Sequence, residues 1–241
     1  MDIRFLGTSD SSGIPVHNCN CEICGLYRKL EKVENSVCAY IETENGEIIL
    51  IDCGIDNISI IFDGRKIKAV FLTHFHPDHA LGLLKLRHSL DKIVCYHPHD
   101  EEGFADLYKH KKSITYIENR PFEPIEVNNI HFTPVPLVHS KNTTGYLIEF
   151  EGKKTAYLTD CARIEHKTLS FLRNSNIDIC YIDACLSPED CIGNHLNFID
   201  ASKIIDKISP KEAYLIHSNH KTLEYIKKNG IKLRYDYLTF Y

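Results

Sequence analysis

Thr73-His74-Phe75-His76-Pro77-Asp78-His79 places three imidazoles and a carboxylate directly after the apolar run 67–72. An apolar, β-branched run of that length reads as a buried strand, so these side chains emerge together where it ends. Imidazole and carboxylate clustered in this way are the donors of a metal site. His74 and His76 are two apart and can face one ion, while Asp78 and His79 can turn toward a second. Two neighbouring divalent ions need more donors than one short segment carries, so others must arrive from other strand ends. His139 ends the run 132–138, Asp160 ends 155–159 and His217 ends 212–216. Each stands at the C-terminal edge of an expected strand, where α/β sheets gather their chemistry. The chain has 14 histidines, so one strand-end His carries little weight alone. His88, His97, His99, His110, His131 and His166 are read as surface or satisfied core residues.

A second constellation is Cys19, Cys21 and Cys24, a Cys-x-Cys-x-x-Cys pattern in a loop at about 17–25 rich in Gly, Asn and Pro. Three thiolates in an exposed loop are reactive unless a soft cation holds them, and zinc is the natural one. The fourth donor is either His17, which is local, or His220, three residues beyond His217. The distant choice would staple the loop to the edge that carries the first cluster. Of the ten cysteines, Cys38, Cys53, Cys95 and Cys180 lie inside apolar runs and read as reduced core residues.

The elements that must position these groups follow from periodicity and turn residues. Residues 1–6 read as a first strand; 36–42 and 47–52 flank Asn45-Gly46, a hairpin signal. The second of these strands ends in Ile51-Asp52-Cys53-Gly54, which makes Asp52 a candidate carboxylate for orienting the metal-binding segment. Glu151-Gly152 makes another hairpin between 144–150 and 154–159. Helices are expected over 80–90, 100–110, 165–174, 200–208 and 221–228. Strands therefore come in pairs with helices between them, not as strict βαβ repeats, and the sheets are mixed or antiparallel. The 241 residues, 43% hydrophobic, fit one domain over 1–241. No stretch approaches the roughly 18 apolar residues of a membrane span. The opening residues do not read as a basic leader, so the expected location is cytoplasmic. A net charge of -5 and scattered basic residues disfavour a bulky nucleic-acid partner.

His74-Phe75-His76-Pro77-Asp78-His79 followed by His139, Asp160 and His217 resembles the signature of the metallo-β-lactamase superfamily, as do Leu6-Gly7-Thr8 and Ile51-Asp52-Cys53-Gly54. The resemblance spans nearly the whole chain. It implies an αββα sandwich, two mixed β-sheets face to face with helices outside and a dinuclear site along one sheet edge. Finer features resemble the PhnP family, phosphodiesterases of the carbon-phosphorus lyase pathway. These are Cys19-Asn20-Cys21-Glu22-Ile23-Cys24, the stretches 100–110, 136–141 and 167–174, and Asn194-His195-Leu196-Asn197. This resemblance implies that His74, His76 and His139 hold one metal, that Asp78, His79 and His217 hold the other, and that Asp160 bridges them. It also implies His195 as a catalytic acid acting with Asp78 and Asp160, His220 as the fourth zinc ligand, and a homodimer. It points to manganese in the active site and zinc among the cysteines; by ligand type alone the active site would accept zinc or iron as well. Ser140 and Lys141, beside His139, are candidate phosphate contacts.

The reaction so implied is hydrolysis of a small cyclic phosphodiester, phosphoribosyl 1,2-cyclic phosphate to ribose 1,5-bisphosphate in phosphonate catabolism. The stretch 183–191, which borders the expected pocket, departs from the family pattern and would suit another sugar or a cyclic nucleotide. A transfer-RNA processing nuclease of the same superfamily would need a basic gripping arm that the sequence does not show. A flavodiiron-type oxidoreductase would place a carboxylate at His76. A non-enzymatic zinc-binding protein would centre on the cysteine loop instead.

Overall fold

The computed structural model describes residues 2–189 and 193–230 and the short strand at 236–237. One sheet carries β1 (Ile3–Gly7), β2 (Cys38–Glu42), β3 (Ile48–Ile51), β4 (Ile67–Phe71), β5 (Ile93–His97) and β6 (Ile114–Glu118) in that spatial order. Its first pairs are antiparallel and, from β3 onward, its pairs are parallel. The other sheet carries β7 (Ile125–Val127), β8 (Ile130–Leu137), β9 (Thr143–Phe150), β10 (Lys153–Leu158), β11 (Ile179–Asp183), β12 (Glu212–Ile216) and β13 (Asp236–Tyr237). It is antiparallel up to β10 and parallel beyond.

Strand periodicity decides how the layers stack, because successive side chains point to opposite faces. In β3, Ile49 and Ile51 join Phe71, Phe132, Tyr146 and Tyr157 in the core between the sheets. Ile48 and Leu50 of the same strand face outward, where Ile58, Leu83 and Leu86 cover them. The other sheet repeats the pattern: Tyr157 points inward, whereas Ala156 and Leu158 meet Leu172, Ala201 and Ile205. Phe71 and Phe132 stack across the sandwich with ring centroids 3.7 Å apart. Each such buried ring contributes about 1.5–3 kcal/mol over leaving it exposed. The helices are α1 (Glu22–Lys29), α2 (Ile58–Ile61), α3 (Pro77–Ala80), α4 (Leu83–Leu86), α5 (His166–Asn174), α6 (Phe198–Ile208) and α7 (His220–Lys228). The αββα sandwich with two mixed sheets is the architecture expected from the sequence.

Four sequence expectations need correction. The helix over 80–90 is two short helices, α3 and α4, because Gly82 N donates to Cys53 O at 2.7 Å instead of continuing the helical ladder. The helix over 100–110 is a series of turns: Asp100 Oδ1 accepts from the backbone of Glu102 and Gly103, and Gly103 and Ala105 adopt positive φ. The cysteine loop is not loop throughout, since α1 begins at Glu22 with Cys21 as its N-cap. Strict βαβ repeats do occur, over β10, α5, β11, α6, β12 and α7, with parallel strands. The short strand β11 was the missing piece. Among the described residues no helix is long and apolar enough to cross a membrane.

A seam joins the two sheets beside the site. Past β1, Ser9 bridges to Ser36 on one side and to Ser218 on the other, and Ser9 Oγ donates to Ser218 O at 3.3 Å.

Candidate dinuclear metal centre

The candidate ligands all leave the C-terminal ends of strands. β4 delivers Thr73 to His79, β8 leads to His139, β10 to Asp160 and β12 to His217. β3 leads to Asp52, which with His217 has a positive φ, 61° and 58°. Left-handed backbone costs a non-glycine residue about 1–2 kcal/mol, so the surrounding packing holds both against an intrinsic preference. Gly54 is obligatory for a different reason: a Cβ there would overlap the Asp78 carbonyl group. Cys53 N donates to His79 O at 2.7 Å, so the segment after β3 is seated directly on the His74–His79 stretch.

Asp160 lies at the centre, 1% exposed. Its Oδ2 faces His74 Nε2 at 3.6 Å and His139 Nε2 at 3.5 Å; its Oδ1 faces His79 Nε2 at 3.4 Å and His217 Nε2 at 3.2 Å. His76 Nδ1 lies 2.7 Å from His74 Nε2 and 3.2 Å from His139 Nε2. Asp78 Oδ2 lies 3.5 Å from His79 Nε2 and 3.7 Å from His217 Nε2. The seven residues thus form two groups: His74, His76 and His139 with Asp160, and Asp78, His79 and His217 with Asp160. Within each, the ligand atoms lie within 4.8 Å of one another.

Outer partners fix the rings. Asp52, fully buried, accepts from Thr73 N at 2.8 Å, from Thr73 Oγ1 at 2.9 Å and from His79 Nδ1 at 2.8 Å. Thr73 Oγ1 in turn accepts from His74 Nδ1 at 3.1 Å, and Asn194 O accepts from His139 Nδ1 at 2.8 Å. Each bond leaves the opposite ring nitrogen free toward Asp160, the arrangement that metal-binding histidines require.

Electrostatics divide the cluster. Burial above all holds the pKa of His74, His76 and His139 below the ordinary imidazole value, which keeps them neutral. Burial opposes charge on His79 and His217 too, but Asp160, together with Asp52 for the one and Asp78 for the other, pulls both upward. Burial would raise Asp78 and Asp160, yet His217 and His79 keep both carboxyls below the usual range. Asp78 and Asp160 thus face the buried His79 and His217 rings from two sides. His79 Nε2 and His217 Nε2 are buried without a hydrogen-bond partner. Orphaned nitrogens aimed at carboxylates, in a nitrogen and oxygen donor set, fit a pair of divalent cations.

A cavity of about 770 Å³ opens above this cluster. His76, Asp78, His139, Ser140, Asp160, His195 and His217 all line it. The His195 ring lies 4.8 Å from that of His139 and stacks at 4.9 Å on that of His217. Its Nδ1 donates to Asp183 Oδ2 at 2.8 Å. Sequence reasoning missed Asp183; the signal was present, since it ends the apolar strand β11 just as Asp52 and Asp160 follow theirs. Ser140 Oγ sits 3.5 Å from His76 Nε2 at the cavity wall. Lys141 is not among the lining residues: its ammonium pairs with Asp100 at 3.0 Å, so the structure holds it off the cavity. Of the histidines read as ordinary, His97 is buried with Nδ1 donating to Pro98 O at 2.8 Å, and His99 pairs with Glu118 on the surface. Of the departing stretch 183–191, Asp190 and Cys191 lie outside the described residues, whereas Cys185 and Leu186 line the cavity.

The cysteine cluster assembles apart from this one. Cys19 Sγ and Cys21 Sγ approach His220 Nδ1 at 3.4 and 3.3 Å, and Cys24 completes a set whose ligand atoms lie within 4.8 Å of one another. His17 is exposed and stands outside the set. Cys24 N donates to Cys21 Sγ at 3.4 Å, and the Arg28 guanidinium braces the loop through the carbonyls of Cys19 and Val16.

Two facing mixed sheets with histidines and carboxylates at one edge define a metallo-hydrolase class. Residues 47–218 match the beta-lactamase superfamily domain, and the chain belongs to that superfamily, with the metallo-β-lactamase fold. The solved structure of a diphosphatase from the PhnP family superposes with a TM-score of 0.81 at 25% identity, covering 98% of this chain and 93% of that one. The probable metallo-hydrolase YhfI of Bacillus subtilis is 23% identical over 82% of this chain and 86% of its own length. An octanoyltransferase of Porphyromonas gingivalis is 26% identical over 90% of this chain, which spans 45% of that protein's length.

Proposed function

We propose that this chain is a dinuclear metal-dependent phosphodiesterase acting on a small phosphodiester. The observation that carries this reading is Asp160, whose two oxygens each face a separate group of imidazoles, with His195 at the same cavity wall. His74, His76 and His139 would hold one divalent ion, Asp78, His79 and His217 the other, and Asp160 both. Manganese is the first candidate by resemblance, and the donor set also suits zinc or iron. When bound, two such ions supply Lewis acidity for a phosphoryl group and a nucleophile at neutral pH.

The chain's own groups do the rest. Asp52, Thr73 and the Asn194 carbonyl hold imidazoles in the tautomer that turns a bare nitrogen inward. His195, held through Nδ1 by Asp183, presents Nε2 to the cavity and protonates the departing alkoxide. A sugar alkoxide is a poor leaving group, and such a proton is worth on the order of 10²- to 10⁴-fold in rate. Cys19, Cys21, Cys24 and His220 would hold a structural zinc, a soft-donor set unlike the active site.

By its PhnP resemblance the first substrate is phosphoribosyl 1,2-cyclic phosphate, opened to ribose 1,5-bisphosphate. Cavity size favours a small molecule of this kind over a folded RNA. The test is turnover by the manganese-loaded protein on that compound, 2',3'-cyclic nucleotides and a dinucleoside diphosphate, followed by phosphorus NMR. Preference for the ribosyl diester supports a phosphonate-catabolic role in the cytoplasm; preference for the nucleotides moves the substrate while keeping the chemistry. No hydrolysis of any diester would refute the proposal.

A further inference from the structure

The segment that carries His74, His76, Asp78 and His79 is tied to the opposite sheet just before its first candidate ligand. Past Phe71, the last residue of β4, two successive carbonyls are taken up by β9: Leu72 O accepts from Tyr146 Oη at 2.7 Å, and Thr73 O accepts from Thr144 N at 3.0 Å. β9 itself carries no candidate ligand. It lies between β8 and β10, paired with both, and those strands lead to His139 and Asp160. Tyr146 stands opposite Pro134 on one side and Tyr157 on the other.

Tyr146 is fully buried, and its ring meets that of Phe71 edge on at 5.5 Å in the core between the sheets. A phenylalanine would fill the same space, so the hydroxyl is what the core must accommodate. A buried hydroxyl is tolerated when it is hydrogen-bonded. Here it is bonded twice, because Asn119 Nδ2 donates to Tyr146 Oη at 3.0 Å. A tyrosine hydroxyl has a single proton, so a donor behind it commits that proton to Leu72 O. Asn119 is held in turn: it is buried, and its backbone N donates to His97 O at 2.8 Å. The bond to Leu72 therefore has a fixed direction and a firm support at its far end.

We propose that Tyr146 is a positioning residue of the metal centre: through Leu72 O it sets how far the His74–His79 stretch stands from His139 and Asp160. Donors from two sheets must meet the same ions, and such a set tolerates displacements of only about 0.5 Å. The Thr144 bond holds the same stretch through backbone atoms, which nearly any residue would supply. The Tyr146 bond depends on one side-chain oxygen. The inference rests on the dinuclear reading above.

The test uses the full chain with its cysteine cluster zinc-loaded, titrated with Mn²⁺ and followed by the electron paramagnetic resonance of the free ion. In Tyr146→Phe, which keeps the ring and removes the hydroxyl, manganese should bind about 10-fold more weakly, the low end of the loss expected when support behind a ligand is removed. That variant also strands the Asn119 amide, which lowers stability whatever the role of Tyr146. Combining Tyr146→Phe with Asn119→Leu removes the stranded donor. Denaturant unfolding of the metal-free double variant should then return most of the way to native, while its manganese affinity stays as weak as in Tyr146→Phe. If Tyr146→Phe does not fold, the double variant is titrated in its place. Native manganese affinity in either variant, or affinity that recovers together with stability, would overturn the inference. Two manganese ions bound in this pattern by a protein that hydrolyses no diester would defeat the proposed function and leave the Tyr146 assignment standing.

Discussion

Asp183 Oδ2 accepts a hydrogen bond from His195 Nδ1 at 2.8 Å, and the carboxylate that does so is fully buried. Burial opposes charge on His195, but the hydrogen bond and negative charge of Asp183 outweigh it and hold the imidazole pKa above its ordinary value. An acid works only while protonated, so activity should fall as pH rises through that elevated pKa. Asp183→Asn removes the raising influence and leaves burial, which moves the alkaline limb to lower pH. The pH profile of kcat on an alkyl diester measures this, and an unmoved limb would separate His195 from the proton transfer.

His195→Ala should reduce hydrolysis of an alkyl diester by about 10²- to 10⁴-fold and that of a nitrophenyl diester far less, because nitrophenolate departs without a proton. Rates on the paired substrates decide it. Equal losses would assign His195 a role in binding instead.

Gly54→Ala inserts a Cβ where the Asp78 carbonyl sits. The His74–His79 segment must then withdraw from β3, carrying Asp78 and His79 with it. The expected outcome is a folded chain that binds fewer than two active-site ions, read by metal counting on the purified protein. Full occupancy would show that the two segments tolerate separation.

Asp52→Ala leaves Thr73 N, Thr73 Oγ1 and His79 Nδ1 facing a void. Breaking a buried, hydrogen-bonded charge in this way costs about 3–5 kcal/mol. Denaturant unfolding of the metal-free chain should show that loss, with Asp52→Asn intermediate because its amide oxygen still accepts. Wild-type stability in the alanine variant would mean that Asp52 is dispensable for seating the segment.

The cysteine cluster and the metal centre share the strand-to-helix passage from His217 to His220. Cys21→Ser should lower the melting temperature, by about 2–4 °C for each kcal/mol lost. It should also weaken manganese binding on the His217 side. A lower melting temperature with unchanged manganese affinity would show that α7 holds its position without the cluster.

The strand ends that carry the candidate ligands were legible because an apolar run of strand length precedes each, and the same periodicity made the sandwich readable. His139 and Asp160 announce themselves in this way. Other features depend on contacts that no local pattern reports. The break between α3 and α4 comes from Gly82 N reaching a carbonyl near β3. The turns after Asp100 come from a side chain that satisfies backbone donors in place of a helix. The first turn of α1 was hidden by its cysteines, residues that read as loop until the sulfur of Cys21 caps the helix. Asp183 went unnoticed because its partner is twelve residues away on an irregular stretch, and only the fold puts them together.

The candidate ligands are divided between the sheets: Asp78, His74, His76 and His79 follow β4, while His139, Asp160 and His217 follow β8, β10 and β12. Neither sheet alone owns a complete set, and the Ser9 seam to Ser36 and Ser218 closes only when both are in register. On the proposed reading, a nascent chain would be chemically silent until residue 217 had been made and docked. Cation loading would then act as an inspection of the finished sandwich, and partial products would have no means of attacking phosphodiesters.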